Sequence, residues 1–156
     1  MKPEIINGDI LNQNVEVIVN SWNRNIIPWW LLLPQGVSGA IKRQGGTGPF
    51  KEVAKYGAIP LGEARLSSAG SLPFKAIIHV AGINMFWCAT KYSVAQSVLN
   101  AMRLVNEQKY RSVAFPLIGA GSGNRGKQWS LAIMLKAFEA IDSEAQVIIV
   151  QYEKGD

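Results

Sequence analysis

The sequence is short of the side chains that most often carry chemistry. Among 156 residues there is one cysteine, Cys88, and one histidine, His79. A lone cysteine excludes an internal disulfide and a cysteine-rich metal site. A lone histidine excludes histidine-based metal centres and most serine–histidine–aspartate arrangements. No apolar run approaches the roughly 20 residues needed to span a bilayer. The opening MKPEIINGDI lacks the charged-then-apolar pattern of a secretory signal, so a cytoplasmic protein is expected. Long charge runs are missing too. The densest basic cluster is Lys42 and Arg43, which reads more readily as a solvated helix face than as a nucleic-acid groove. Chemistry here must therefore run on Asn, Asp, Ser, Lys, backbone amides or the substrate itself.

What is present fits one globular domain, residues 1–156, with 48% apolar and 17% charged residues. A chain of this length buries about 70% of its unfolded surface and needs no covalent staples. The net charge of +5 favours anionic partners such as phosphates, nucleotides and nucleic acids.

Strands are expected over residues 4–6, 15–19, 63–67, 76–80, 112–115 and 146–152, and helices over 37–45, 49–56, 92–106 and 127–141. Val94, Ala95, Val98, Leu99, Met102 and Val105 form one stripe at helical spacing. The apolar run in AIIHVAG predicts a strand covered on both faces. The late β-α-β-α-β order predicts an α/β fold with a mostly parallel sheet.

In such sheets ligands bind at the carboxyl ends of strands, so the residues that follow strands carry the information. After the strand at 112–115 comes PLIGAGSGNRG, with four glycines within eight residues and then a helix. Glycines let backbone amides approach an anion, and the helix start adds its positive end, so the segment outlines a phosphate cradle. A merely flexible loop is the alternative. QGVSGAIKRQGG offers a second helix start. Two such starts can grip a diphosphate from both sides. Asn20 and Asn23 can each donate and accept, which suits sugar hydroxyls or local turns. Asp9 can cap a turn or accept from an adenine amino group. Tyr152 can end a core strand or stack on a base.

Between these segments lies VNSWNRNIIPWWLLLPQG, with three of the five tryptophans and three asparagines within six residues. Trp29, Trp30 and the three leucines after them are too apolar to stay wet. They pack at the sheet edge, wall a sugar site or form a contact surface.

The pieces NGDI, VIVNSWN, GVSGAI, GEA, LPFKAIIHVAG and VAFPLIGAG occur in the order found in macrodomains, and the chain resembles that ADP-ribose-binding family over nearly its whole length. The resemblance implies a three-layer α/β/α sandwich with a mixed, mostly parallel central sheet, acting as a monomer with no metal and no cofactor. It implies that Asp9 binds the adenine amino group beside the Ile10 backbone, and that Tyr152 flanks the adenine. Asn20 begins the family's Asn-x-x-Asn motif, whose second asparagine, Asn23, holds the distal ribose. Gly36, Val37, Ser38 and Gly39 wrap the diphosphate and distal ribose, and Gly119, Ala120, Gly121, Ser122 and Gly123 form the second phosphate loop. His79 matches a strand histidine that looks structural.

Hydrolytic members carry Gly-Gly-Gly-Val-Asp-Gly where this chain has PQGVSG, so Ser38 replaces an aspartate thought to orient or activate water. Some viral members lack that carboxylate and still hydrolyse. The family's aromatic in the second loop is Gly123 here. The implied activity is metal-independent removal of ADP-ribose from protein, nucleic acid or O-acetyl-ADP-ribose, with Asn23 and Ser38 as the catalytic pair. A non-catalytic ADP-ribose reader is the alternative. Direct nucleic-acid binding is suggested by charge alone, without a basic stripe interleaved with aromatics.

Overall fold

Six strands form one sheet in a computed structural model that describes residues 1–22, 36–82, 89–120 and 126–152. The strands are β1 Glu4–Gly8, β2 Val17–Trp22, β3 Ala64–Ser67, β4 Ala76–Ala81, β5 Ser112–Pro116 and β6 Gln146–Tyr152. The helices are α1 Gly36–Gly45, α2 Gly48–Ala54, α3 Lys91–Glu107 and α4 Lys127–Phe138, with a one-turn 3-10 helix at Ile10–Asn12. The strand order is β1-β6-β5-β2-β4-β3; β3 pairs antiparallel with β4 and the other neighbours are parallel.

Period-two alternation divides each strand between two cores. Val17, Val19, Ile78, Val80, Phe115 and Ile149 face α3 and α4, where they meet Val94, Val98, Met102, Met134 and Phe138. Ile18, Ile77, Ala114 and Ile148 face the other way, against Ile10, Ile41, Phe50 and Val53. Helices therefore cover both faces, which gives the expected three layers. All six residues of β4 are buried, as its unbroken apolar run predicts. Phe115 and Phe138 meet edge to face at 5.3 Å between ring centres. Burial of each contributes about 2 to 3 kcal/mol, and the ring pair about 1 kcal/mol more.

Local signals set the helix starts. Thr90 caps α3: its hydroxyl accepts from Ser93 N at 3.0 Å, and Ser93 Oγ accepts from Thr90 N at 2.8 Å. Ser93 Oγ also donates to Gly82 O at 2.9 Å, which ties the start of α3 to the end of β4. Most element ends differ from the sequence expectation by a residue or more, and two of the differences have a visible cause. Helix α4 stops at Phe138 rather than 141, because Ala140 and Ile141 bond three residues back and tighten the last turn. Strand β2 runs past Val19 to Trp22, because β4 continues alongside it to Ala81. Asn20 therefore lies within the sheet, opposite His79, rather than in a turn after the strand. Among the described residues no helix is long and apolar enough to cross a membrane.

Candidate functional site

The carboxyl ends of β5 and β6 open into a cleft of about 470 Å³, a size suited to a small-molecule ligand. Its first wall follows β1. Gly8 pairs in register with Tyr152, so the next residue, Asp9, lies near the end of β6. Asp9 caps the 3-10 turn: Oδ1 accepts from Leu11 N at 2.9 Å, and its backbone carbonyl accepts from Gln13 Nε2 at 2.9 Å. One carboxylate oxygen is thus committed to the backbone, and the other has no hydrogen-bond partner among the described residues. Ile10 sits beside it, and Tyr152, 63% exposed, lines the same cleft.

The second wall is α1. Val37, Ala40, Arg43 and Gln44 recur at helical spacing along one face and line the cleft together. Pro116, Leu117 and Ala120 come from the turn after β5, and Lys127 is the first residue of α4. The starts of α1 and α4 thus reach one space. Neither helix has an acidic residue in its first turn, and Gly126 gives α4 no side-chain cap. The leading amides of α4 keep a positive end available to an anion. Arg43 and Lys127 add full charges at the rim, and neither has an ion-pair partner among the described residues. The cleft is thus cationic along α1 and α4 and carries a carboxylate at the Asp9 end.

Gly119 in the β5–α4 turn has φ +87°. A Cβ there would lie 2.5 Å from Ala89 Cβ and 3.4 Å from Val94 Cγ2. This glycine is needed by packing against the start of α3 as well as by backbone conformation. Ser130 Oγ donates to Ile118 O at 2.6 Å and holds the same turn against α4.

Behind the first turn of α1 runs a chain of polar groups. Ser38 Oγ donates to Asn20 Oδ1 at 2.7 Å, Asn20 Nδ2 lies 3.1 Å from His79 Nδ1, and His79 Nε2 lies 2.8 Å from Ser67 Oγ. Asn20 and His79 are fully buried. Burial pushes the His79 ring down to about 3 from its ordinary value, so it stays neutral.

The structure brings Asp9, Ile10, Val37, Ala120 and Tyr152 onto one cleft. Gly36, Ser38 and Gly39 share the first turn of α1 with Val37. Ser38 is half-buried and Gly39 buried. Gly119 sits immediately before Ala120 in the turn. Asn20 has no exposed surface and reaches the cleft side only through Ser38. Asn23, Gly121, Ser122 and Gly123 lie outside the described residues, as do Trp29 and Trp30. Sequence reasoning left Arg43 on a solvated face and passed over Ala40, Gln44 and Lys127. The spacing from Val37 to Ala40 and Arg43 was the available signal. Lys127 becomes visible only once α4 is known to begin at the cleft. Among the described residues, no group of three or more His, Cys, Asp or Glu side chains is placed to hold a metal ion.

Comparison with known proteins bears on this arrangement. Residues 19–134 match the family model of the Macro domain. The chain is 34% identical over 148 residues to an O-acetyl-ADP-ribose deacetylase of Klebsiella pneumoniae, covering 90% of this chain and 81% of the relative. It is 36% identical over 125 residues to the O-acetyl-ADP-ribose deacetylase of Escherichia coli K12, covering 75% and 67%. A mutant of the Oceanobacillus iheyensis macrodomain, solved with ADPR, superposes with a TM-score of 0.80 at 28% identity, covering 95% of this chain and 83% of the other. With a six-stranded sheet between two helical layers and a family match across most of its length, the chain belongs to the Macro domain family.

Proposed function

We propose that this protein binds ADP-ribose in the cleft and hydrolyses ADP-ribosyl linkages, with O-acetyl-ADP-ribose as the first substrate to test. The observation that carries the reading is the division of one cleft into two chemistries. At one end stand a carboxylate oxygen without a hydrogen-bond partner among the described residues and an exposed tyrosine ring; along the other run the starts of α1 and α4, with Arg43 and Lys127. A purine with an exocyclic amino group suits the first end: Asp9 accepts from the amine, the Ile10 backbone lies alongside, and Tyr152 stacks. A pyrophosphate suits the second, where amides near Val37 and Ala120 donate to its oxygens. Asn23 and Ser38 hold the far sugar, and the substituent on that sugar leaves. All these groups come from one chain, so a monomer suffices.

The placement of Ser38 favours a second reading, a reader that binds without cleaving. Serine is no general base near neutral pH, and its hydroxyl is committed to Asn20. Calorimetry with ADP-ribose, followed by incubation with O-acetyl-ADP-ribose, ADP-ribosylated protein and ADP-ribosylated DNA, separates the two. Release of free ADP-ribose or acetate, abolished by Asn23→Ala, establishes the hydrolase. Binding without release establishes the reader. Absence of binding at millimolar ligand refutes both.

A further inference from the structure

Tyrosine and arginine meet at the β3 edge of the sheet, opposite the β1 edge that carries Asp9. Tyr56, just past α2, and Tyr92, the second residue of α3, are 51% and 61% exposed. Tyr56 Oη donates to Leu66 O at 3.1 Å, and the Arg65 guanidinium lies 5.8 Å from the centre of the same ring. Glu63 Oε2 lies 3.8 Å from a guanidinium nitrogen of both Arg65 and Arg103. Charge-assisted hydrogen bonds run at about 2.7 to 2.9 Å, so this one carboxylate draws on both groups and satisfies neither. Arg65 spends one N–H on Ala64 O at 2.9 Å. Among the described residues, most of the five N–H donors on each arginine are left for a ligand. Tyr92 joins the same line: a Cβ on Gly62, next to Glu63, would lie 3.7 Å from its Cε1. Lys55 and Lys91 stand exposed beside the two tyrosines in sequence, while Glu52 is held by Ser68. The alternation of cations and rings that no stretch of sequence shows is thus assembled in space from α2, β3 and α3.

Strand order relates this edge to the cleft. The proposed ligand runs from the Asp9–Tyr152 end, at β1 and β6, past the turn after β5 to a far sugar at the end of β2, where Asn23 follows Trp22. The next strands are β4 and β3, about 10 Å further on at two strand spacings. Gly62 N donates to Ala81 O at 2.8 Å, at the carboxyl end of β4, so the line of side chains begins at the same end of the sheet as the cleft. We propose that the β3 edge is a docking surface for single-stranded nucleic acid, with bases on Tyr92 and Tyr56 and phosphates on Arg65 and Arg103, and that it receives the strand to which the ADP-ribosyl group is attached. The path from cleft to edge rests on the ADP-ribose reading; the binding of a strand at the edge does not. An acidic peptide would use the arginines and leave two exposed rings without a role. A single strand offers both a base face and a phosphate at every step, and a duplex hides the base faces.

Fluorescence anisotropy of the whole chain with labelled oligothymidylate and oligouridylate, at low salt and without ADP-ribose, tests the edge; polyglutamate and a DNA duplex are the comparisons. At least one single strand should bind more tightly than either comparison, and the tighter of the two tells DNA from RNA. Tyr92→Ala should weaken the strand at least about fivefold and leave ADP-ribose affinity within twofold, whereas Tyr92→Phe, which keeps the ring, should match wild type. Arg65→Gln combined with Arg103→Gln should lower the slope of log affinity against log salt by about 1.4, at about 0.7 per phosphate. No strand binding, tighter binding of polyglutamate or duplex, or a strand affinity unchanged in these variants overturns the proposal. The link to the cleft is read by competition against ADP-ribose. An oligonucleotide joined to the far sugar of ADP-ribose through a non-hydrolysable linkage should compete at least tenfold better than ADP-ribose itself, and Tyr92→Ala should erase that gain. Equal competition in wild type overturns the link. If wild type binds no ADP-ribose, the reading of the cleft fails and the path to the edge fails with it, while the oligonucleotide titration still decides the edge.

Discussion

Replacing Gly119 with alanine should separate the architecture of the β5–α4 turn from its proposed chemistry. The turn needs glycine for two independent reasons. Its φ of +87° strains any residue with a Cβ, by about 1 to 2 kcal/mol. The added Cβ would also lie 2.5 Å from Ala89 Cβ, far inside the 3.5 to 4.0 Å optimum for two carbons. Ala89 opens the segment that Thr90 caps, and Val94 lies beyond it at 3.4 Å, so little can yield. Overpacking of this kind costs about 1 to 3 kcal/mol. The reduced freedom of the unfolded chain returns about 0.4 to 1 kcal/mol. A net loss of about 3 kcal/mol is expected, which for a domain of this size lowers Tm by roughly 6 to 12 °C. Because Ala120 lines the cleft, ADP-ribose affinity should fall as well. Gly126→Ala is the control: its φ is −74° and nothing among the described residues lies within 4 Å of an added Cβ, so only the change at the helix cap, below about 1 kcal/mol, is expected. Urea denaturation of both variants is the assay. If Gly119→Ala lies within 0.5 kcal/mol of wild type (about the limit of a surface substitution), or is no worse than Gly126→Ala, the packing argument for this turn is wrong.

Two further outcomes follow from the same geometry. Gly126→Asp should cap α4 and stabilise the free protein by about 0.5 to 1 kcal/mol, while weakening ADP-ribose binding tenfold or more, because the carboxylate occupies the amides proposed for phosphate; calorimetry and thermal unfolding on one sample check both. For His79 the folded ring resists protonation down to about 3, whereas the unfolded chain takes up the proton near its ordinary 6.5. The unfolded state thus binds more protons between those values, and stability falls as pH drops through that window, by at most about 1.4 kcal/mol per unit. His79→Gln should flatten that slope, whatever its effect at pH 7, as read from denaturation midpoints on both sides of the window.

The sequence carried the elements well and their arrangement poorly. The β4 run AIIHVA and the stripe Val94, Val98, Met102 and Val105 announce themselves because burial imposes a period on neighbouring residues. The order β1-β6-β5-β2-β4-β3 leaves no such trace, since pairing partners are distant in sequence. The site divides in the same way. Asp9 and Tyr152 were legible because each follows or ends a strand. Asn20 was legible as polar but not as hidden: its burial depends on β4 continuing beside β2 and on Ser38 closing over it. Arg43 and Lys127 resemble any other surface cation until the fold sets α1 and α4 across one cleft.

The central claim is that the starts of α1 and α4 and the Asp9–Tyr152 end form one binding site. Titration of isotope-labelled protein with ADP-ribose, followed amide by amide, tests it most directly. The account predicts that Ile10, Val37, Ala120 and Tyr152 shift together with one affinity. Shifts confined to one wall, shifts at a different surface, or none at saturating ligand would contradict it.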